Sequence, residues 1–285
     1  MDGVFGKDRT RDRFHAAYDE ALRHWPVPCT ELDVETSWGP TRVRRCGAGT
    51  GVPIVLLHGT LSTSVSWYPY VAELAEEHQV FAVDTIDEPG RSTLTRPVRD
   101  AGDHAGWLAD VLTGLGHPRV HLAGISRGGW LALNLAAKSG EQVASVTAVE
   151  PAGFGRVGRR FYFWAAKNLV RTATPLRRFA TLSATEIAVY GSLRSLLFAA
   201  GSSRVRLPPP EPLTEGELRA LPERTQLIFA EHSALHRSAQ VRARLSSVVP
   251  EMRVEVVPGA SHGLSLERPE LVIARILAFA RTRHQ

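Results

Sequence analysis

The 285-residue chain predicts an α/β protein: a mostly parallel sheet covered on both faces by helices. Three observations point to it. Short apolar runs such as Ile54 to Leu57 and Val143 to Val149 recur, the pattern of strands buried on both faces. Segments with helical spacing alternate with them. The run Val120 to Ile125 also passes almost directly into a helical pattern, Arg127 to Lys138.

Taken in order, Thr10 to Trp25 reads as an amphipathic helix. Glu31 to Thr36 and Thr41 to Cys46 read as a hairpin around Gly39-Pro40. Strands follow at Ile54 to Leu57, Val80 to Asp84, Val120 to Ile125, Val143 to Val149, Gln226 to Ala230 and Arg253 to Val257. Helices fall at Tyr68 to His78, Asp103 to Leu115, Arg127 to Lys138 and Pro269 to Arg281. From Pro151 to Arg224 no strand is evident, and helical segments are expected at Arg160 to Arg171, Leu176 to Ala188 and Leu193 to Ala199. So long an interruption of a short-looped pattern signals function. It reads as a helical cap over the carboxyl ends of the strands, where open α/β sheets bind ligands. The chain thus divides into a core (1–150), a cap (151–224) and the rest of the core (225–285).

Composition excludes several classes. With 44% hydrophobic and 22% charged residues, the chain has the make-up of a globular protein. No apolar run reaches the length of a membrane span, and Met1 to Trp25 has no apolar signal core, so a cytoplasmic protein is expected. Cys29 and Cys46 form neither a disulfide framework nor a metal signature, and both are expected reduced. No metal or organic cofactor is implied. The net charge is +5, and between Pro151 and Pro210 ten Arg or Lys face one acid, Glu186. That excess reads either as solvated helix faces or as a surface drawing an anionic or carrier-bound small-molecule substrate. No nucleic-acid recognition motif accompanies it.

Three motifs carry chemistry. Gly124-Ile125-Ser126-Arg127-Gly128 is a G-x-S-x-G pattern between a strand and a helix. Small residues on either side let a serine occupy a strained turn with its Oγ above the sheet. Ser126 is the candidate nucleophile. His58-Gly59-Thr60 follows the strand Ile54 to Leu57, and the N–H groups of Thr60 and Arg127 are candidate oxyanion donors. His58 itself reads as a brace for its loop. Gly259-Ala260-Ser261-His262-Gly263 follows the last strand, and His262 is the candidate base. The Arg127 side chain is expected to reach solvent, an acidic partner or an anionic substrate group. Phe161 to Trp164 at the cap entrance could pack internally or line an apolar pocket, and Trp67 and Trp164 are the candidate substrate contacts.

His58-Gly59, Asp84 with Pro89-Gly90-Arg91-Ser92, Gly124 to Gly128 and Ser261-His262-Gly263 together resemble the α/β-hydrolase superfamily. The run from Leu57 to Ser66-Trp67-Tyr68-Pro69 is similar to its bacterial carboxylesterase and lactonase-like members with a helical cap. The resemblance implies the α/β-hydrolase fold with an inserted cap and a serine hydrolase of esters, lactones or thioesters. The scaffold also hosts cyclases, lyases, acyl transferases and ligand-binding proteins, which stay open as alternatives.

The family usually sets its catalytic acid after the strand that precedes the histidine strand. Here that stretch reads Phe229-Ala230-Glu231-His232-Ser233, with Ser233 at the expected carboxylate position. Three readings remain: Glu150, one strand over, is the acid; Glu231 turns inward; or Ser126 and His262 work as a dyad helped by water or Ser233. Asp84 and Asp87 read as loop carboxylates bonded to nearby backbone.

Overall fold

The computed structural model describes residues 4–161, 163–164, 184–201, 203 and 207–281, and within them eight strands form one sheet. They are β1 (Cys29–Val34), β2 (Thr41–Cys46), β3 (Ile54–Leu57), β4 (Val80–Val83), β5 (Val120–Ile125), β6 (Val143–Val149), β7 (Thr225–His232) and β8 (Arg253–Ser261). Their spatial order is β1-β2-β4-β3-β5-β6-β7-β8. The hairpin β1–β2 is antiparallel and joins β4 antiparallel, while every pairing from β4 through β8 is parallel.

The described helices are α1 (Asp8–Leu22), α2 (Tyr68–Glu77), α3 (Ala101–Leu115), α4 (Arg127–Lys138), α5 (Ala184–Gly201), α6 (Glu215–Ala220), α7 (Ser238–Val248), α8 (Leu264–Glu267) and α9 (Pro269–Arg281). Two-residue alternation sorts the strand side chains between them. Val55, Leu57, Leu122 and Val146 join Trp107 and Leu108 of α3 and Leu131 of α4 on one face. Ile54, Leu56 and Val80 join Val71 and Leu74 of α2 and Ile273 and Ile276 of α9 on the other. Each such fully buried aliphatic side chain contributes about 1.5–3 kcal/mol, and β3 consists of four of them. Capping sets the ends of α3: Asp100 accepts from the Asp103 N–H, and Gly116 closes the helix at φ 72°.

Most expected elements lie within a few residues of those observed. The helix α7 is not evident in the sequence, because it buries only Ser238, Val241 and Leu245 and its apolar stripe is correspondingly thin. Of the expected cap helices, Arg160 to Arg171 and Leu176 to Ala188 fall largely outside the described residues, and Leu193 to Ala199 lies within the longer α5. The described residues between β6 and β7 contain no strand. There α5 places Leu196, Ala199 and Ala200 against Phe14 and Tyr18 of α1.

The parallel strands send their carboxyl ends to one edge of the sheet. Ile125 of β5 pairs with Val149 of β6, so Ser126 and Glu150 leave the sheet as neighbours. His262 leaves β8 at the same edge. Cys29 and Cys46 stand opposite each other in the β1–β2 register as free thiols, and burial pushes the Cys46 thiol up to about 12. No described helix is long and apolar enough to cross a membrane.

Candidate active site

Ser126 joins β5 to α4 with φ 53° and ψ −113°, a positive φ that few non-glycine residues adopt. Backbone hydrogen bonds hold it there. Its N–H donates to Val149 O at 2.9 Å, and its carbonyl accepts from Trp130 N at 3.1 Å and Ala152 N at 3.0 Å. The flanking glycines are sterically required. A Cβ on Gly124 would lie 2.3 Å from Gly128 O, and one on Gly128 would lie 2.0 Å from Leu57 O. Strain of this kind costs about 1–3 kcal/mol and persists only where the surroundings over-determine it.

Glu150 is the second strained non-glycine at this edge, with φ 47°. Its N–H donates to Ile228 O at 2.7 Å, and its side chain is fully buried. His262 Nδ1 donates to Glu150 Oε2 at 2.7 Å. Ala230 N donates to Oε1 at 2.6 Å, and Ser233 Oγ donates to Oε2 at 2.6 Å. Three donors converge on one carboxylate, which orients the imidazole and leaves its Nε2 as the acceptor. Of the three candidates, Glu150 is the carboxylate that the structure brings to His262. Glu231 is exposed and accepts from Gly259 N at 2.8 Å. Ser233 supports the carboxylate instead of replacing it, and it also accepts from the backbone of Leu235 and His236 at 3.2 Å each. His236 donates from Nε2 to Pro151 O at 2.6 Å, and burial lowers its pKa.

The Arg127 side chain is buried and meets acidic partners, one of the outcomes expected of it. Nη1 donates to Asp87 Oδ1 at 3.1 Å and to Glu88 Oε1 at 2.9 Å, and Nη2 donates to Asp87 Oδ2 at 2.7 Å. His104 Nε2 lies 2.8 Å from Nη2 and 2.9 Å from Asp87 Oδ2. Burial opposes ionisation of Asp87, but Arg127 and His104 outweigh it and hold the carboxyl well below its usual range. Asp87 therefore serves a buried guanidinium, not the loop backbone expected of it. Asp84 does bind backbone, accepting from Ser64 N at 2.7 Å and Arg91 N at 2.8 Å, and it also accepts from the Tyr18 hydroxyl. Glu88, which no sequence motif singles out, joins the cluster through contacts distant in the chain.

His58 braces its loop. Thr85 N donates to its Nε2 at 3.1 Å, which leaves the proton on Nδ1 to reach Gly59 O at 2.9 Å. Thr60 follows, and Leu61 takes φ 55°. A Cβ on Gly59 would sit 3.6 Å from Ser126 Cβ, so this loop and the serine turn are in contact.

Trp164 and Phe161 meet His262 edge-on, with centroids 5.0 and 5.3 Å away and interplanar angles of 89° and 86°. Trp67 is elsewhere. It is fully buried in the core, 5.1 Å from the Tyr70 ring, which corrects its expected role as a substrate contact to one of packing. A second serine–histidine pair, His121 Nδ1 and Ser145 Oγ at 2.5 Å, lies at the opposite, amino ends of β5 and β6. Burial pushes His121 down to about 3, so its ring is neutral. Among the described residues no cluster of three or more His, Cys, Asp or Glu could hold a metal.

A strained serine thus lies between a parallel strand and a helix, and a histidine hydrogen-bonded to a carboxylate lies at the same sheet edge. The chain belongs to the alpha/beta hydrolase family, whose model matches residues 54–275. It is 31% identical over 278 residues to carboxylesterase YbfK of Bacillus subtilis, covering 94% of this chain and 93% of that one. The crystal structure of that carboxylesterase, also called CesB, superposes with a TM-score of 0.82 at 29% identity, covering 96% of this chain and 99% of the other. The naproxen esterase structure from the same organism gives 0.79 at 29% identity, covering 94% and 97%.

Proposed function

We propose that this chain cleaves carboxylic esters through an acyl-enzyme on Ser126, with His262 as base and Glu150 as its acid partner. The chain is an ester-hydrolysing enzyme of the alpha/beta hydrolase family, similar to two bacterial carboxylesterases over nearly its whole length. The observation that carries the residue assignment is the 2.7 Å hydrogen bond from His262 Nδ1 to the buried Glu150 carboxylate. It fixes the tautomer with Nε2 free to take the Ser126 proton. Ser126 Oγ attacks the ester carbonyl as His262 takes its proton, and the negative charge moves to the carbonyl oxygen. The N–H groups of Thr60 and Arg127 stabilise that oxygen. The tetrahedral adduct collapses, the carbon–oxygen bond to the alcohol breaks, and His262 gives the proton to the departing alkoxide. Water then repeats the sequence on the acyl-enzyme and releases the acid.

The lyase and cyclase alternatives draw on a missing acid, and the hydrogen bond from His262 to Glu150 supports the hydrolase reading over them. Residues 151–224 form the helical cap in this reading, and Trp164 with Phe161 gives the acyl or alcohol group an aromatic wall beside His262. Two free thiols suit a reducing compartment, so we place the enzyme in the cytoplasm. The arginine-rich cap is the ground for expecting an anionic or carrier-linked acyl group, to which the buried Arg127 side chain contributes nothing.

A burst of alcohol from an activated aryl ester, absent in Ser126→Ala, is the expected result. Stoichiometric labelling of Ser126 by a fluorophosphonate accompanies it. A wild type that shows neither burst nor label overturns the reading.

A further inference from the structure

Oxyanion stabilisation demands that two N–H groups from different segments converge on one oxygen at about 2.7–3.1 Å. Here the segments are the loop Gly59 to Leu61 and the start of α4. They adjoin on one side, where a Cβ on Gly59 would lie 3.6 Å from Ser126 Cβ and Gly128 packs against Leu57 O and His58 O just before the loop. On the other side a single carboxylate spans them. Glu88 Oε2 accepts from Leu61 N at 2.5 Å, and Glu88 Oε1 accepts from Arg127 Nη1 at 2.9 Å. Leu61 follows Thr60, and Arg127 follows Ser126.

We infer that Glu88 is a positioning residue for the oxyanion pocket, clamping the Thr60 loop to the first residue of α4. The inference rests on the hydrolase reading given above. The simpler role, neutralising a buried arginine, is already filled by Asp87, which binds both terminal nitrogens of Arg127. A second carboxylate exceeds what that charge needs, and burial raises the pKa of Glu88, so holding it there is unfavourable. What it adds is the bond to Leu61. That residue sits at φ 55°, a conformation a leucine does not hold without outside support. The clamp therefore fixes the backbone on which the Thr60 N–H is mounted. A displacement well under the length of a hydrogen bond is enough to lower transition-state stabilisation.

The test uses the full-length enzyme with an activated aryl ester and an aryl trifluoromethyl ketone, whose hydrate-like adduct with serine places an oxyanion in the pocket. Glu88→Gln is expected to lower kcat about 10- to 100-fold with KM within about twofold, a loss smaller than or equal to removal of one donor. Affinity for the ketone falls by the same factor as kcat/KM, while affinity for the carboxylic acid product is unchanged. Asp87→Asn, which loosens the arginine but keeps the bond from Glu88 to Leu61, lowers the ratio of ketone to product affinity less than Glu88→Gln does. Leu61→Gly, in which the positive φ needs no support, restores part of the kcat lost in Glu88→Ala. A Glu88→Gln enzyme with wild-type kcat overturns the inference alone, as does a loss of activity that tracks melting temperature equally in Glu88→Gln and Asp87→Asn. An inert wild type overturns the hydrolase reading with it.

Discussion

Ser233 donates a hydrogen bond of 2.6 Å to the same Glu150 oxygen that His262 binds. The serine occupies the position where the family usually carries its acid, and Glu150, the acid proposed above, stands one strand over. The two residues thus share the support of His262, with Glu150 supplying the charge and Ser233 a donor that holds it. This relationship decides what substitutions at either position should do.

Ser233→Asp is expected to lower kcat, even though it recreates the usual family residue. It sets a second carboxylate against Glu150 in a buried site, and two such groups cannot both ionise cheaply. A fall of roughly tenfold or more is expected, with an altered pH profile of kcat/KM, since a shared proton changes how His262 titrates. Ser233→Ala should fall less, about 3- to 10-fold, the effect of one lost hydrogen bond. Steady-state kinetics from pH 5 to 9 separates the two; a Ser233→Asp enzyme faster than wild type contradicts the assignment of Glu150.

Glu150→Gln keeps the shape and removes the charge. The expected loss in kcat is about 10³- to 10⁴-fold, because an amide neither fixes the tautomer of His262 nor stabilises its charged form. Melting temperature should change little beside that loss. Pre-steady-state acylation with an aryl ester gives the comparison, and an unimpaired burst rate would exclude Glu150 from the mechanism.

Gly128→Ala should not fold stably. Its methyl group would lie 2.0 Å from Leu57 O and 2.5 Å from His58 O, and both acceptors are backbone. Relief requires separating the serine turn from the adjoining strand end, and a loss of several kcal/mol is expected. By contrast Gly155→Ala, with nothing within 4 Å, should melt as the wild type does. Thermal denaturation of the pair is the check.

His121 predicts acid sensitivity. Burial pushes its pKa down to about 3 from an ordinary 6.5. Between those values the unfolded chain takes up a proton that the folded protein refuses. The stabilisation is whole above pH 6.5 and is lost as pH falls towards 3, at up to about 1.4 kcal/mol per pH unit. Urea unfolding at pH 7, 6 and 5 should show a steeper decline for wild type than for His121→Gln. Parallel declines would mean that His121 does not carry the effect.

The scaffold is legible in the sequence because its signals are local. Apolar runs of strand length, separated by helical spacing, locate β3, β5 and β6 to the residue, and G-x-S-x-G places Ser126 at the strand–helix junction. The acid is not legible in the same way. Nothing in the residues around Glu150 shows that it will take φ 47° and turn towards a histidine 112 positions away. Glu88 carries no local signal for a related reason, since its partners Leu61 and Arg127 are 27 and 39 positions distant. Trp67 departs from its expected role because an aromatic residue close to a site motif looks the same in sequence whether it faces a pocket or the core.

The residues that follow Glu150 are fastened twice: Pro151 O accepts from His236, and Ala152 N donates to Ser126 O. The segment that leaves β6 is therefore tied to the backbone of the serine turn, and its first residues cannot shift without breaking one of those bonds. An evolving lineage, or an engineer, could exchange the segment beyond these residues as a cassette. Substrate range would then be free to diversify while the chemistry passes unaltered from one descendant to the next.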